Sequence, residues 1–140
     1  MEPIKVGIVG FGRSGCGIHA SAIKDMRDLF DVVAIADFIP ERRSHEAFPN
    51  AKPYASAEAL IADPNVEMVI VSTFNSVHAP VARMALKGGK HVLCEKPMAV
   101  TMADCEEMVR VAKETGKRLM IGQNQRLTRA HRLAKRMIAD

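Results

Sequence analysis

IKVGIVGFGRSG, Ile4 to Gly15, is an apolar run that ends in three glycines at Gly-x-Gly-x-x-Gly spacing. A run of this kind reads as a buried strand, and the glycines that close it read as a tight turn into a helix. Each glycine has its own task in such a turn. Gly10 permits the strand-to-helix bend, Gly12 lets backbone come close to a pyrophosphate, and Gly15 lets the helix pack against the strand. The six letters alone fit any glycine turn, so the rest of the chain decides between a bend and a phosphate cradle.

Working outward, short Val- and Ile-rich runs alternate with stretches of helical periodicity, the pattern of repeated βαβ units on a parallel sheet. Strands are expected at 4–10, 31–37, 52–54 (weakly), 66–72, 90–95 and 118–122. Helices are expected at 13–28, 41–47, 57–62, 76–87 and 102–115. The last has the clearest ends: Thr101 as cap, Asp104 three residues on, and Gly116 for the positive φ of a helix terminus. The stronger strands are almost continuously apolar, as strands covered on both faces are. The fold class is therefore α/β, a doubly wound parallel sheet.

At 140 residues, 48% apolar and 26% charged, the chain has the size and composition of one globular domain. Cys16, Cys94 and Cys105 show no Cys-x-x-Cys spacing and His19, His45, His78, His91 and His131 show no metal-ligand spacing, so neither a disulfide framework nor a metal is expected. With an N-terminal apolar run too short for a signal peptide or a membrane span, the expectation is a cytoplasmic protein without a membrane contact. Net charge is +4, but Lys117 to Asp140 holds seven Lys or Arg and one acid, a local +6 that leaves −2 elsewhere. From Arg126 to Ile138 the apolar residues recur at helical spacing, opposite Arg129, Arg132, Lys135 and Arg136. This is an amphipathic basic helix. A solvated face awaiting a neighbouring domain explains it more simply than a nucleic-acid contact, which stays as a minor alternative.

Asp37 lies 22 residues past Gly15, at the end of the second strand, where a ribose-binding acid belongs. Such an acid accepts bonds from ribose hydroxyls and repels a 2′-phosphate, which favours NAD. Arg42 and Arg43 stand close enough to tolerate NADP. Phe38 reads equally well as an adenine contact and as a core residue. In an open α/β sheet ligands bind outside the carboxyl ends of the strands. That places Thr73, Asn75 and His78 of VSTFNSVHAP (71–80) at the cofactor crevice, although capping by Asn75 or Ser76 explains part of the pattern. In KHVLCEKPM (90–98) a buried strand runs straight into Glu95-Lys96-Pro97. Pro97 restricts Lys96 to extended backbone and so aims its ammonium, suited to hydrogen-bond a reacting hydroxyl and move its proton. Cys94, beside it, reads as a small core residue rather than a nucleophile.

Taken together, GFGRSG, Asp37, STFNSVH, ALKGGKHVLCEKPMAVT and IGQNQRL resemble the N-terminal half of the Gfo/Idh/MocA oxidoreductases. The resemblance implies a Rossmann domain that binds NAD, with NADP possible, through Gly10, Phe11, Gly12, Arg13, Ser14, Gly15, Asp37, Phe38, Thr73, Asn75, His78, Glu95 and Lys96. Lys96 would be the catalytic lysine at the substrate and nicotinamide end. It further implies a sugar or polyol substrate and homo-oligomers of the full-length protein. Residues 1–125 would form the dinucleotide-binding domain, and 126–140 a helix leading toward a C-terminal domain that lies outside this chain. The chain departs from the family pattern at Thr73-Phe74-Asn75, where Thr-Pro-Asn is common, and at Arg126-Leu127-Thr128-Arg129, where Arg-Phe-x-Pro is common. A non-catalytic nucleotide-sensing module is the alternative reading, and retention of Lys96 argues against it.

Overall fold

The computed structural model describes residues 2–139. Six strands, β1 (Ile4–Val9), β2 (Phe30–Ala36), β3 (Lys52–Tyr54), β4 (Met68–Val71), β5 (His91–Cys94) and β6 (Leu119–Ile121), form one sheet in the order β3-β2-β1-β4-β5-β6. Every pairing is parallel. All six expected strands are present, including the weak one at 52–54, which occupies an edge and so tolerates Pro53.

Strand alternation divides the core in two. Val9, Val69, Val71, Val92 and Cys94 face one side. There they meet α2 (Ala57–Ile61), α3 (His78–Lys87) and α4 (Met102–Thr115) through Leu60, Ala82, Leu86, Met108 and Val111. Val6, Ile8, Val32, Ile35 and Ile70 face the other side, against Ala20, Ile23 and Phe48. The two-sided cover explains the continuous apolar runs. Helix ends follow the sequence signals at α4 but not at α3, where the cap expected from Asn75 or Ser76 is missing: α3 starts at His78 behind a 3₁₀ turn, Asn75–Val77, and neither carries a side-chain cap. Ser56 accepts the Ala59 N–H at 3.2 Å, Thr101 Oγ1 accepts the Asp104 N–H at 3.1 Å, and Gly116 closes α4 at φ +66°.

Two predicted helices are corrected. The one expected over 13–28 starts at residue 13 as read but ends at Ile23, with its middle, Gly15–Ala20, π-helical before a last α-helical turn, α1 (Ser21–Ile23). The chain then turns through Lys24–Leu29, because Leu29 must give its carbonyl to the Ile4 N–H (2.9 Å) and set Phe30 beside Ile4. The helix expected over 41–47 is a single 3₁₀ turn, Pro40–Arg42. Side chains there compete with the backbone: His45 Nδ1 accepts the Ala47 N–H (3.1 Å), and Arg43 reaches back to the carbonyls of Asp37 and Phe38.

The basic helix forms as α5 (Arg129–Ala139), preceded by a 3₁₀ turn at Asn124–Leu127; Asp140 lies outside the described residues. Its apolar residues Leu133, Met137 and Ile138 are exposed. Among the described residues, no helix is long and apolar enough to cross a membrane.

Candidate functional site

The strand order reverses direction between β1 and β4, and the carboxyl ends of β2, β1 and β4 open there into a groove of about 510 Å³. This is the switch point at which open α/β sheets bind ligands.

The glycine turn forms one wall. Gly10 sits at φ +85°, and a Cβ on it would come within 2.7 Å of the Ser72 carbonyl oxygen. Ser72 Oγ donates to the Gly10 carbonyl at 2.6 Å, and the Gly10 N–H donates to the Ala36 carbonyl at 2.8 Å, so the turn is bolted to both neighbouring strands. A Cβ on Gly15 would lie 2.1 Å from the Gly10 carbonyl oxygen, which brings the helix hard against the strand end. Gly12 differs from both: its φ is ordinary, and its Cβ would meet only Arg42 Nη1, at 3.6 Å. The fold itself does not require glycine at this position. A bare backbone facing an open groove at the start of a helix fits the approach of a phosphate.

Asp37 forms the floor beside it. The residue is 6% exposed, and its carboxylate accepts two backbone N–H groups, Phe11 on Oδ2 (2.7 Å) and Ile39 on Oδ1 (2.9 Å). Each oxygen keeps further acceptor capacity, so a ribose hydroxyl can still be held. Arg43 donates to the Asp37 and Phe38 carbonyls (2.8 and 3.2 Å) and braces this loop, while Arg42 lines the groove. The two arginines therefore divide their roles, one structural and one facing the ligand space.

Of the residues expected at the site, Gly10, Gly12, Arg13, Ser14, Asp37, Phe38 and Thr73 line the groove together. Phe11 does not: its ring is buried, edge-on to His45 at 5.8 Å, and its N–H belongs to Asp37. Gly15 lies beneath the turn rather than in its wall, and Asn75 is exposed at the head of a 3₁₀ turn outside the lining. Phe38 is no core residue, being 66% exposed at the mouth. Its neighbour there is Phe74, 69% exposed on the opposite lip, with ring centroids 6.3 Å apart and planes inclined by 36°. Phe74 stands out in sequence only as a departure from Thr-Pro-Asn; nothing local announces its partner. The start of α2 also contributes, through its cap Ser56 and Glu58 in its first turn.

His78, Glu95 and Lys96 lie further along the same sheet edge, past β4 and β5. His78 is fully buried, with Nδ1 2.8 Å from the Pro97 carbonyl and Nε2 3.2 Å from the Thr73 carbonyl, so it ties the two loops together. Glu95 is 7% exposed; Oε1 meets His19 Nε2 at 2.9 Å and Oε2 accepts the Lys96 N–H at 3.1 Å. This pins the lysine corner to the helix that follows the glycine turn. His19 was not expected at the site, since its partner lies 76 residues away. Lys96 is exposed, and the Lys96–Pro97 peptide is cis. Cys94 is fully buried, and burial pushes its thiol up to about 12, out of reach of nucleophilic chemistry at neutral pH. No metal-binding cluster of His, Cys, Asp or Glu occurs among the described residues.

Comparison with known proteins agrees with this geometry. The model of the GFO_IDH_MocA oxidoreductase family, described as an NAD-binding Rossmann fold, matches residues 4–123. An uncharacterized oxidoreductase of Schizosaccharomyces pombe is 36% identical over 143 residues, covering 100% of this chain and 39% of the relative. Inositol 2-dehydrogenase of Salmonella typhimurium is 36% identical over 139 residues, covering 96% of this chain and 41% of the enzyme. Among solved structures, KijD10, a 3-ketoreductase from Actinomadura kijaniata in complex with NADP and TDP-benzene, superposes with a TM-score of 0.89 at 31% identity, covering 98% of this chain and 42% of that one. The chain thus spans about two-fifths of the length of these relatives.

Proposed function

The chain belongs to the Gfo/Idh/MocA oxidoreductase family, and on that premise we propose that it is the dinucleotide-binding part of an NAD(P)-dependent oxidoreductase of sugars or polyols. One observation carries the reading. Gly12 is a glycine that the protein's own packing does not demand, set in a groove floored by the Asp37 carboxylate.

Gly12, Arg13 and Ser14 would hold the pyrophosphate of the dinucleotide, and Asp37 the adenosine ribose. Asp37 favours a ribose with free hydroxyls, hence NAD; Arg42, in the same groove, supplies a cation for a 2′-phosphate and accommodates NADP. The nicotinamide, when bound, supplies the capacity to accept or return a hydride. Lys96 would hydrogen-bond the reacting oxygen and hold or release its proton, with the Glu95–His19 pair keeping the corner in place. The dehydrogenase and ketoreductase names of the relatives support a hydroxyl or carbonyl carbon as the reacting centre. Residues 1–125 are assigned to the dinucleotide domain, and 126–140 to a helix leading to a second domain that completes the substrate site and a homo-oligomer interface. A cytoplasmic setting suits its three free thiols.

The test is a panel of polyols and sugars offered, with NAD⁺ and with NADP⁺, to the protein carrying that second domain. Reduced nucleotide is expected with at least one polyol or sugar. Turnover confined to another substrate class, such as imines, would contradict the reading.

A further inference from the structure

Glu95 and Lys96 place a carboxylate and an ammonium on neighbouring residues just past β5, yet the two side chains do not pair. Among the described residues, the ion pair of Glu95 is with His19, and none involves Lys96. Lys96 is exposed, whereas Glu95 is buried. Each carboxylate oxygen already has a donor. Oε1 meets His19 Nε2 at 2.9 Å, and Oε2 accepts the backbone N–H of Lys96 at 3.1 Å. An ionised carboxylate only accepts, so the proton of the first contact sits on His19 Nε2. Gly122 packs against the same group: a Cβ there would lie 3.2 Å from Oε1. The bond to the Lys96 N–H curls the carboxylate back over the lysine's own backbone, which brings its oxygens within the span of that residue's flexible four-carbon stem.

We propose that His19 is a positioning residue that keeps Glu95 from capturing the Lys96 ammonium. This rests on the reading of Lys96 as the proton-transfer group and adds what leaves that group free. A buried carboxylate that loses a donor is costly and recruits the nearest cation. Here that cation is Lys96, tethered one residue away. Drawn onto Glu95, the ammonium would point into the corner instead of toward a reacting oxygen, and the carboxylate would hold its proton. The imidazole prevents this by filling Oε1 with an N–H from a side chain that is itself only 13% exposed. The capture account differs from a simple tie between two βα units. A tie would be weakened further by taking the charge off Glu95, whereas capture needs that charge and vanishes with it.

The experiment is competitive acetylation of the 140-residue chain with trace acetic anhydride, read lysine by lysine by mass spectrometry, with the exposed Lys24 and Lys87 as references. An ammonium held by a carboxylate gives up its proton less readily and is acetylated more slowly. Leucine fills the place of the imidazole without a donor. His19→Leu should therefore slow Lys96 by about 10-fold against the references, the effect of one close ion pair on a proton equilibrium. His19→Gln keeps a donor and should stay within a few-fold of the parent. Adding Glu95→Gln to His19→Leu removes the captor, so Lys96 should regain its reactivity. In the protein that carries the second domain, kcat should fall in His19→Leu and rise again in the double variant. Unchanged acetylation of Lys96 in His19→Leu, or a double variant as slow as the single one, overturns the proposal. So does loss of a cooperative melt in His19→Leu, because the captured ammonium should replace the imidazole on the carboxylate. Acetylation needs no nucleotide: labelling that follows the proposal beside a kcat that does not would overturn the catalytic reading of Lys96 and leave the role of His19 standing.

Discussion

Gly15→Ala should lower the melting temperature by about 10 °C or more, the signature of a loss near 3–5 kcal/mol in a domain of this size. The new Cβ would sit 2.1 Å from the Gly10 carbonyl oxygen and 2.9 Å from Ser72 Oγ. Neither can retreat cheaply. Gly10 is fixed by its N–H bond to the Ala36 carbonyl and by the Ser72 hydroxyl on its own carbonyl, so relief requires the helix to lift off the strand end. Stabilities of natural domains are about 5–15 kcal/mol, so such a loss removes a large share of the total. Gly12→Ala makes the useful contrast. Its backbone is unstrained and its Cβ meets only the flexible end of Arg42, so the melting temperature should barely move while the groove loses its bare wall. A Gly15→Ala chain that melts with the parent would mean that the turn is far looser than these distances state.

Lys96→Met, in the protein that carries the second domain, should lower kcat by about 10²–10⁴-fold, the range for a positioned proton-transfer group, and leave NADH affinity within a few-fold. Cys94 is fully buried with its thiol pushed up to about 12. Both ring nitrogens of His78 face carbonyl oxygens, and the Glu95 carboxylate is engaged by His19 and by the Lys96 N–H. These three side chains are thus committed to holding the corner together, whereas Lys96 is exposed and, on the proposed reading, would be the group that moves the proton. A fall in NADH affinity that matches the fall in kcat/KM would instead make Lys96 a binding group. An unchanged kcat would remove it from the mechanism.

The sheet was readable from the chain because its strands are apolar on both faces and its glycines mark the turns. Thr101 and Gly116 bound α4 at the residues observed, since capping is a local event that a few letters specify. Of the two corrected helices, one is decided by distant groups and the other by local side chains that compete with the helix. The helix after the glycine turn stops early because Leu29 and Phe30 must meet Ile4. The expected helix at 41–47 gives way to side chains that bond back to the backbone. At the site, the three glycines and Asp37 are legible from spacing. Which of their neighbours face the groove is not: Phe11 turns inward, Arg42 and Arg43 take opposite roles, and Phe74 meets Phe38 across the mouth. The His19–Glu95 pair joins residues from two βα units, and only the assembled sheet brings them together.

Calorimetric titration of the 140-residue chain with NADH, repeated with Gly12→Val, addresses the groove most directly. The expected result is one NADH bound per chain, with binding lost in a Gly12→Val protein that still melts near the parent temperature. No binding by the parent, or binding unaffected by the valine, would contradict the assignment of this groove as the dinucleotide site.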